Sequence, residues 1–310
     1  MSTESALRLA HSPDSDDLVM WWPLTGMVGP DGRPVAGELG TPRVDTEGLS
    51  FTLFGRDVEQ LNRAVIDRTA DFDLTAISAA AYAHVAGDWA ITRTGGSFGE
   101  GYGPKVVAVQ GAPIAGPADL PGRKIAVPGT RTSAFTTLTM MLAELSGSPI
   151  EAEEMLFSEV PAAVLAGRAD AGLLIHEAQL TYEQLGLRMV VDLGAWWQER
   201  TGGPLPLGLN VVRRDLDTRL GPGTLERVSR VLRRSVDYAL ANPAESREYL
   251  LLHAGSRSEW HDTELVEKYL AMYVSRMSVD MEEKGVSALT GFYREAHKQG
   301  LLPACTPDVI

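Results

Sequence analysis

"RKIAVPGTRTSAFTTLTMMLAELSG", residues 123–147, decides how the chain is read. A short apolar run, KIAV, stops at Pro-Gly, and a turn of Thr, Arg, Thr and Ser follows. A long apolar stretch with helical spacing then runs to Gly147. Pro and Gly punctuate a strand end, and hydroxyl residues before a periodic run mark a helix start, so the stretch predicts strand, turn, helix.

The same grammar recurs in both directions. Strands are predicted at 7–11, 49–55, 72–78, 105–111, 172–175 and 188–194, with helices at 57–70 and 160–170, and 205–215 crosses back. "SDDLVMWWPLTG" opens like a helix capped by Asp14 or Ser15. Residues 26–48 are dense in Gly and Pro and read as a long loop. From Thr224 the chain is mainly helical, with Leu225, Val228, Leu232 and Val236 on one face and Pro243 ending that run. Alternating strands and helices predict an α/β protein with mostly parallel sheets. The helical last third fits two lobes better than one sheet: the chain builds one, inserts a second, and returns, with crossings near 103–110 and 205–212.

The 310 residues carry 28 basic and 41 acidic side chains, a net charge of −13. That field argues against nucleic acid and anionic membranes as partners but not against a small anion held at a helix N-terminus. One cysteine, Cys305, cannot form an internal disulfide, and its Pro-rich surroundings offer no catalytic partner. The start lacks a basic region followed by a signal-type apolar run, and no segment holds about 18 uninterrupted apolar residues. A cytoplasmic location is expected.

Ligands of open α/β sheets bind beyond strand carboxyl ends. Three such ends carry polar side chains: Ser78, the turn with Thr130, Thr132 and Ser133, and His176 in "GLLIHEAQLTY" (172–182). The Thr/Ser turn is either an anion site or a simple helix cap. His176 is either a packed core histidine or a base, for which an ordinary pKa near 6.5 suits neutral pH. Glu177 is expected to face the other side if the strand continues. "HEAQL" (176–180) lacks the second histidine of a zinc-binding H-E-x-x-H, and no Cys/His pair has ligand spacing, so no metal is expected. "DSDD" (14–17) lacks the spacing of a calcium loop and reads as capping. "GGSFG" (95–99) matches a G-x-S-x-G serine elbow, but "EGYGP" follows where a helix is needed, so a flexible connection is expected and a serine hydrolase is not.

"SAAAYAHV", "IAVPGTRTSAF", "GLLIHEAQLTY", "VVDLGAWWQERTGGPLPLG" and "RRSVDYALANP" together resemble the 1,4-dihydroxy-6-naphthoate synthases of the futalosine route to menaquinone, over about residues 7–303. The resemblance implies a two-lobed α/β fold like type II periplasmic binding proteins, with mixed sheets flanked by helices and the ligand cleft between lobes. Lobe 1 would be 1–106 with 209–310, and lobe 2 would be 107–208. It implies a lyase that acts on cyclic dehypoxanthine futalosine, a small carboxylate, without a cofactor. Within it His176 is the catalytic base, while Ala76, Ile77, Ser78, Thr132 and Ser133 bind substrate. The family often opens Ser-Pro-Cys-Pro-Asn-Asp; here "SPDSDD" (12–17) puts Asp14 in place of Cys, Ser15 of Pro and Asp16 of Asn. Relatives on the same fold dehydrate chorismate or merely bind solutes, which leaves those two alternatives.

Overall fold

The computed structural model describes residues 6–145, 149–255 and 257–310. Among the described residues, eleven strands form two sheets. The first contains β1 (Leu7–His11), β2 (Phe51–Gly55), β3 (Leu74–Ser78), β4 (Trp89–Ile91), β5 (Ser97–Gly99) and β11 (Leu205–Arg213), in the order β2-β1-β3-β11-β4 with β5 also on β11. The second contains β6 (Lys105–Val109), β7 (Lys124–Val127), β8 (Glu151–Glu154), β9 (Ala171–Leu174) and β10 (Leu187–Asp192), in the order β10-β6-β9-β7-β8. In each sheet a parallel set meets an antiparallel partner: β3 against β11, and β9 against β6.

Burial of both sheet faces explains the nearly continuous apolar runs. Val106, Ile125, Val127 and Leu173 enter one core of the second sheet, whereas Val107, Ala126 and Leu174 enter the other. In the first sheet Leu7, Leu9 and Leu74 pack on one side, and Ile77, Leu209 and Val211 on the other. Each fully buried aliphatic side chain of this kind contributes about 1.5–3 kcal/mol. Gly172 lies under the helix Val160–Leu165, where a Cβ would come within 2.8 Å of both Val160 and Val164. Helix and central strand can touch only because that side chain is missing.

The opening stretch folds as β7 followed by the helix Ser133–Leu142. Gly147, expected to close that helix, lies outside the described residues. The loop at 26–48 contains one short 3₁₀ turn, and Pro243 both ends the helix Thr224–Ala241 and starts the next. "GGSFG" is not a free connection: Ser97 begins β5 in register with Gly208, and its Oγ accepts from Gly208 N–H at 3.0 Å. No helix follows it, so the elbow geometry is absent. No helix among the described residues is long and apolar enough to cross a membrane.

Strand membership moves the lobe boundaries. Lys105 and Val106 already pair with Leu174 and Leu173 in the second sheet, and Leu205–Gly208 pair with β5 and β3 in the first. We propose lobes of 6–103 with 204–310, and 104–203, in place of boundaries at 107 and 208.

The halves are tied across the cleft. Ser133 Oγ donates to Leu207 O at 2.7 Å and accepts from Ala80 N–H at 3.1 Å. Arg131 N–H donates to Glu59 Oε2 at 3.2 Å. Gly129, with φ +143°, permits this approach, because a Cβ there would lie 2.4 Å from the Glu59 carboxyl. Gly129→Ala is therefore expected to hold the cleft ajar and lower kcat/KM about tenfold or more, since misplacement of about 1 Å is enough for such losses. Steady-state kinetics with a matched thermal melt checks this.

Candidate active site

The carboxyl ends of β1, β3, β7 and β9 converge on a cavity between the two sheets. All six residues expected from the sequence line it: Ala76, Ile77 and Ser78 at the end of β3, Thr132 and Ser133 at the helix head after β7, and His176 after β9.

His176 does not continue a strand. β9 ends at Leu174, and His176 adopts φ +54°, a left-handed conformation uncommon outside glycine. The turn aims the ring at Asp14, with Nδ1 2.6 Å from Asp14 Oδ2. Phe157 abuts the ring edge-on at 4.6 Å between centroids. Gln179, its amide oriented to satisfy both neighbours, bridges Tyr273 and the His176 N–H. Nε2 is buried and has no partner among the described residues. The ring, on the wall of the cavity, is thus fixed by one nitrogen while the other is left unpaired.

Strand alternation also fails for Glu177, which heads a short helix instead. Its carboxylate accepts from Ser15 N–H (3.1 Å), Ser15 Oγ (2.6 Å) and Trp260 Nε1 (3.0 Å), and so latches the second sheet's lobe to the first.

Asp14, Asp16 and Asp17 are all buried here. Three carboxylates this close cannot all ionise. Burial works against charge on Asp14, but His176 overcomes it and holds Asp14 at about 2. Burial, with the charge of Asp14, pushes Asp16 well above the carboxylate range and Asp17 to about 8. For His176, burial opposes protonation, yet Asp14, seconded by Asp16 and Glu177, raises it to about 9. The ordinary pKa expected from the sequence is therefore replaced by an Asp14–imidazolium pair at neutral pH.

This ionisation has a consequence for stability. The folded His176 pKa exceeds its unfolded value, so the pair stabilises fully below about pH 6.5 and loses its effect as pH rises through about 9. Asp17 acts with the same sign: its folded form keeps up to about 8 a proton that the unfolded chain releases near the ordinary value of 3.8, so stability falls as pH rises through that window. The thermal midpoint is expected to fall by several degrees between pH 6 and pH 9, as read by circular dichroism.

The fold also assembles what spacing did not show, a trio of possible metal ligands. Donor atoms of Asp14, Asp16 and His176 lie within 4.8 Å of one another. Asp14 is committed to His176 Nδ1, and Asp16 Oδ1 accepts from Tyr269 at 3.1 Å. Ligation through those two oxygens would break both contacts.

The hydroxyls at the helix head are likewise committed. Thr132 Oγ1 donates to Gly129 O at 2.8 Å and accepts from Phe135 N–H at 3.1 Å, which is helix capping. Ser133 Oγ is the cleft tie described above. The backbone N–H groups of Ser133 and Ala134, in the first turn, remain for an anion. Ser78 Oγ accepts from Asn62 Nδ2 at 3.1 Å and keeps its own proton to donate.

A family model described as menaquinone biosynthesis matches residues 7–298. A 1,4-dihydroxy-6-naphthoate synthase of Thermus thermophilus is 37% identical over 297 residues, 96% of each chain. One from Streptomyces coelicolor is 35% identical over 241 residues, 77% of this chain and 81% of that one. A solved structure of a protein from Archaeoglobus fulgidus superposes with a TM-score of 0.80 at 37% identity, covering 97% of this chain and 100% of that one. The alkanesulfonate-binding protein of Xanthomonas axonopodis shares the fold at a TM-score of 0.67 and 17% identity, covering 100% of this chain and 99% of that one. The architecture is thus that of the two-lobed periplasmic binding proteins, and the chain belongs to the menaquinone-biosynthesis family, among its 1,4-dihydroxy-6-naphthoate synthases.

Proposed function

We propose that the chain converts cyclic dehypoxanthine futalosine to 1,4-dihydroxy-6-naphthoate, with His176 as general base in a retro-aldol-type carbon–carbon cleavage. The observation that carries this reading is the unpaired Nε2 of His176, on a ring that lines the cavity and is held at Nδ1 by Asp14. The substrate carboxylate docks on the N–H groups of Ser133 and Ala134 and the hydroxyl of Ser78, with Ala76, Ile77 and Thr132 shaping that end. Neutral His176 takes the proton of a substrate hydroxyl through Nε2. The oxygen becomes a carbonyl, the adjacent carbon–carbon bond breaks, and its electron pair enters the ring system. The imidazolium returns the proton, and aromatisation draws the reaction forward. Positioned base catalysis of this kind is worth about 10²–10⁴ in rate. The cleft ties exclude water while the groups are aligned.

No step requires a metal. Treatment with EDTA is expected to leave kcat/KM within about twofold of the untreated protein, because a general base and a carboxylate dock suffice. A large loss restored by one divalent cation would move Asp14, Asp16 and His176 from base chemistry to ligation. Chorismate offered alone should remain intact, and its consumption would place the chain with the dehydratases of the same fold.

A further inference from the structure

The cavity has two chemically opposite ends. The head of the helix Ser133–Leu142 presents N–H donors, whereas the end near β1 presents acceptors. Asn210 lies on β11 opposite Ala76, is 3% exposed, and lines the cavity. Its Nδ2 donates to Gly95 O at 2.9 Å, which fixes which amide atom points that way. Its Oδ1 is buried without a partner among the described residues. Gly95 has φ +87°, and a Cβ there would lie 2.5 Å from Nδ2 and 2.6 Å from the Trp21 ring, so glycine is what lets the amide seat. Trp21 follows Asp17 by four residues on one helix, which puts Asn210 on the wall that carries the aspartates. Ser97, also on the cavity, accepts from Gly208 N–H and retains its own proton.

A buried amide oxygen beside carboxyl groups does not suit an anion. It suits a hydroxyl that donates to it. We infer that Asn210, with Ser97, forms a second subsite that takes the hydroxyl-bearing, sugar-derived part of the substrate and thereby sets its direction in the cavity. This rests on the proposed reaction, in which the carboxylate occupies the donor end. The two subsites divide the labour: the product keeps the carboxylate and has lost the sugar-derived part, so it uses only the first.

The test is calorimetric and uses the His176→Asn background, where substrate survives. Asn210→Leu removes the acceptor, and Asn210→Ser is the milder change should the first not fold. The dissociation constant for cyclic dehypoxanthine futalosine is expected to rise at least about tenfold, while that for 1,4-dihydroxy-6-naphthoate stays within about twofold. An unchanged substrate affinity, or parallel losses for both ligands, overturns the subsite. Wild-type turnover, measured separately, reports on the reaction itself, so the two failures are distinct.

Discussion

His176→Asn lowers kcat by about 10²–10⁴-fold and leaves substrate binding nearly intact. The choice of asparagine matters. His176 sits at φ +54°, and Asn is among the few side chains that adopt this left-handed region readily, so the turn after β9 is preserved. Its amide also retains polar contact with Asp14 but cannot accept a proton at neutral pH. Loss of activity then reflects loss of the base rather than collapse of the turn. Single-turnover kinetics with a calorimetric Kd separates the two effects. A variant with wild-type kcat would remove His176 from the chemistry altogether.

Asp14→Asn is expected to move the pH dependence. In the wild type kcat/KM should climb about tenfold per pH unit from pH 6 and level near 9, because the neutral imidazole is the active form and His176 titrates at about 9. Burial by itself lowers that pKa, and Asp14 is the largest of the groups opposing it, ahead of Asp16 and Glu177. Asp17, Asp57 and Tyr269 belong to the same polar surroundings. Without the Asp14 charge the limb is expected to shift to lower pH by at least one unit. The plateau should also drop by about 10² or more, because the ring loses the partner that fixes Nδ1 and hence the direction of Nε2. The two effects have opposite consequences near pH 6, where the variant recovers part of its deficit. A residue that only supported the fold would lower the whole profile without moving its limb, so the log(kcat/KM)–pH plot decides.

Asp14 also shows where reading the sequence stops. "SPDSDD" looked like helix capping, and Asp14 does cap the helix Ser15–Trp21, accepting from Asp17 N–H. Nothing local shows that the same carboxylate meets a histidine 162 positions later, because that contact is made by closing two lobes. Ser78, Thr132 and His176 were legible for the opposite reason: each stands where an apolar run ends, and strand ends of this architecture face the cleft. Their types were less informative than their places, since the Thr132 and Ser133 hydroxyls turned out to be spent on a cap and a tie. Asn210 was missed because it lies inside a buried strand, where a polar residue shows only once the empty space beside it is known.

The fold shows the same division. Runs buried on both faces, such as KIAV in β7 and AGLL in β9, were plain. β8 was not, because "EAEE" lacks strand-forming residues. Among the described residues it pairs with β7 alone, at the sheet edge, and its carboxylates find partners there: Glu153 meets Lys124 at 2.8 Å, and Glu154 meets Arg63 at 2.7 Å. Charged edges of this sort resist pairing with other chains, which is a reason for acidic residues to occupy a strand. β4 and β5 were missed because three residues each is too short a run for periodicity to register.

The most direct measurement incubates the purified chain with cyclic dehypoxanthine futalosine and no added cofactor and follows both products by mass spectrometry. Formation of 1,4-dihydroxy-6-naphthoate together with one equivalent of the sugar-derived fragment, slowed about 10²-fold or more in His176→Asn, is the expected result. Binding of the substrate with neither product formed would contradict the account and leave the chain a solute binder on an enzyme's fold.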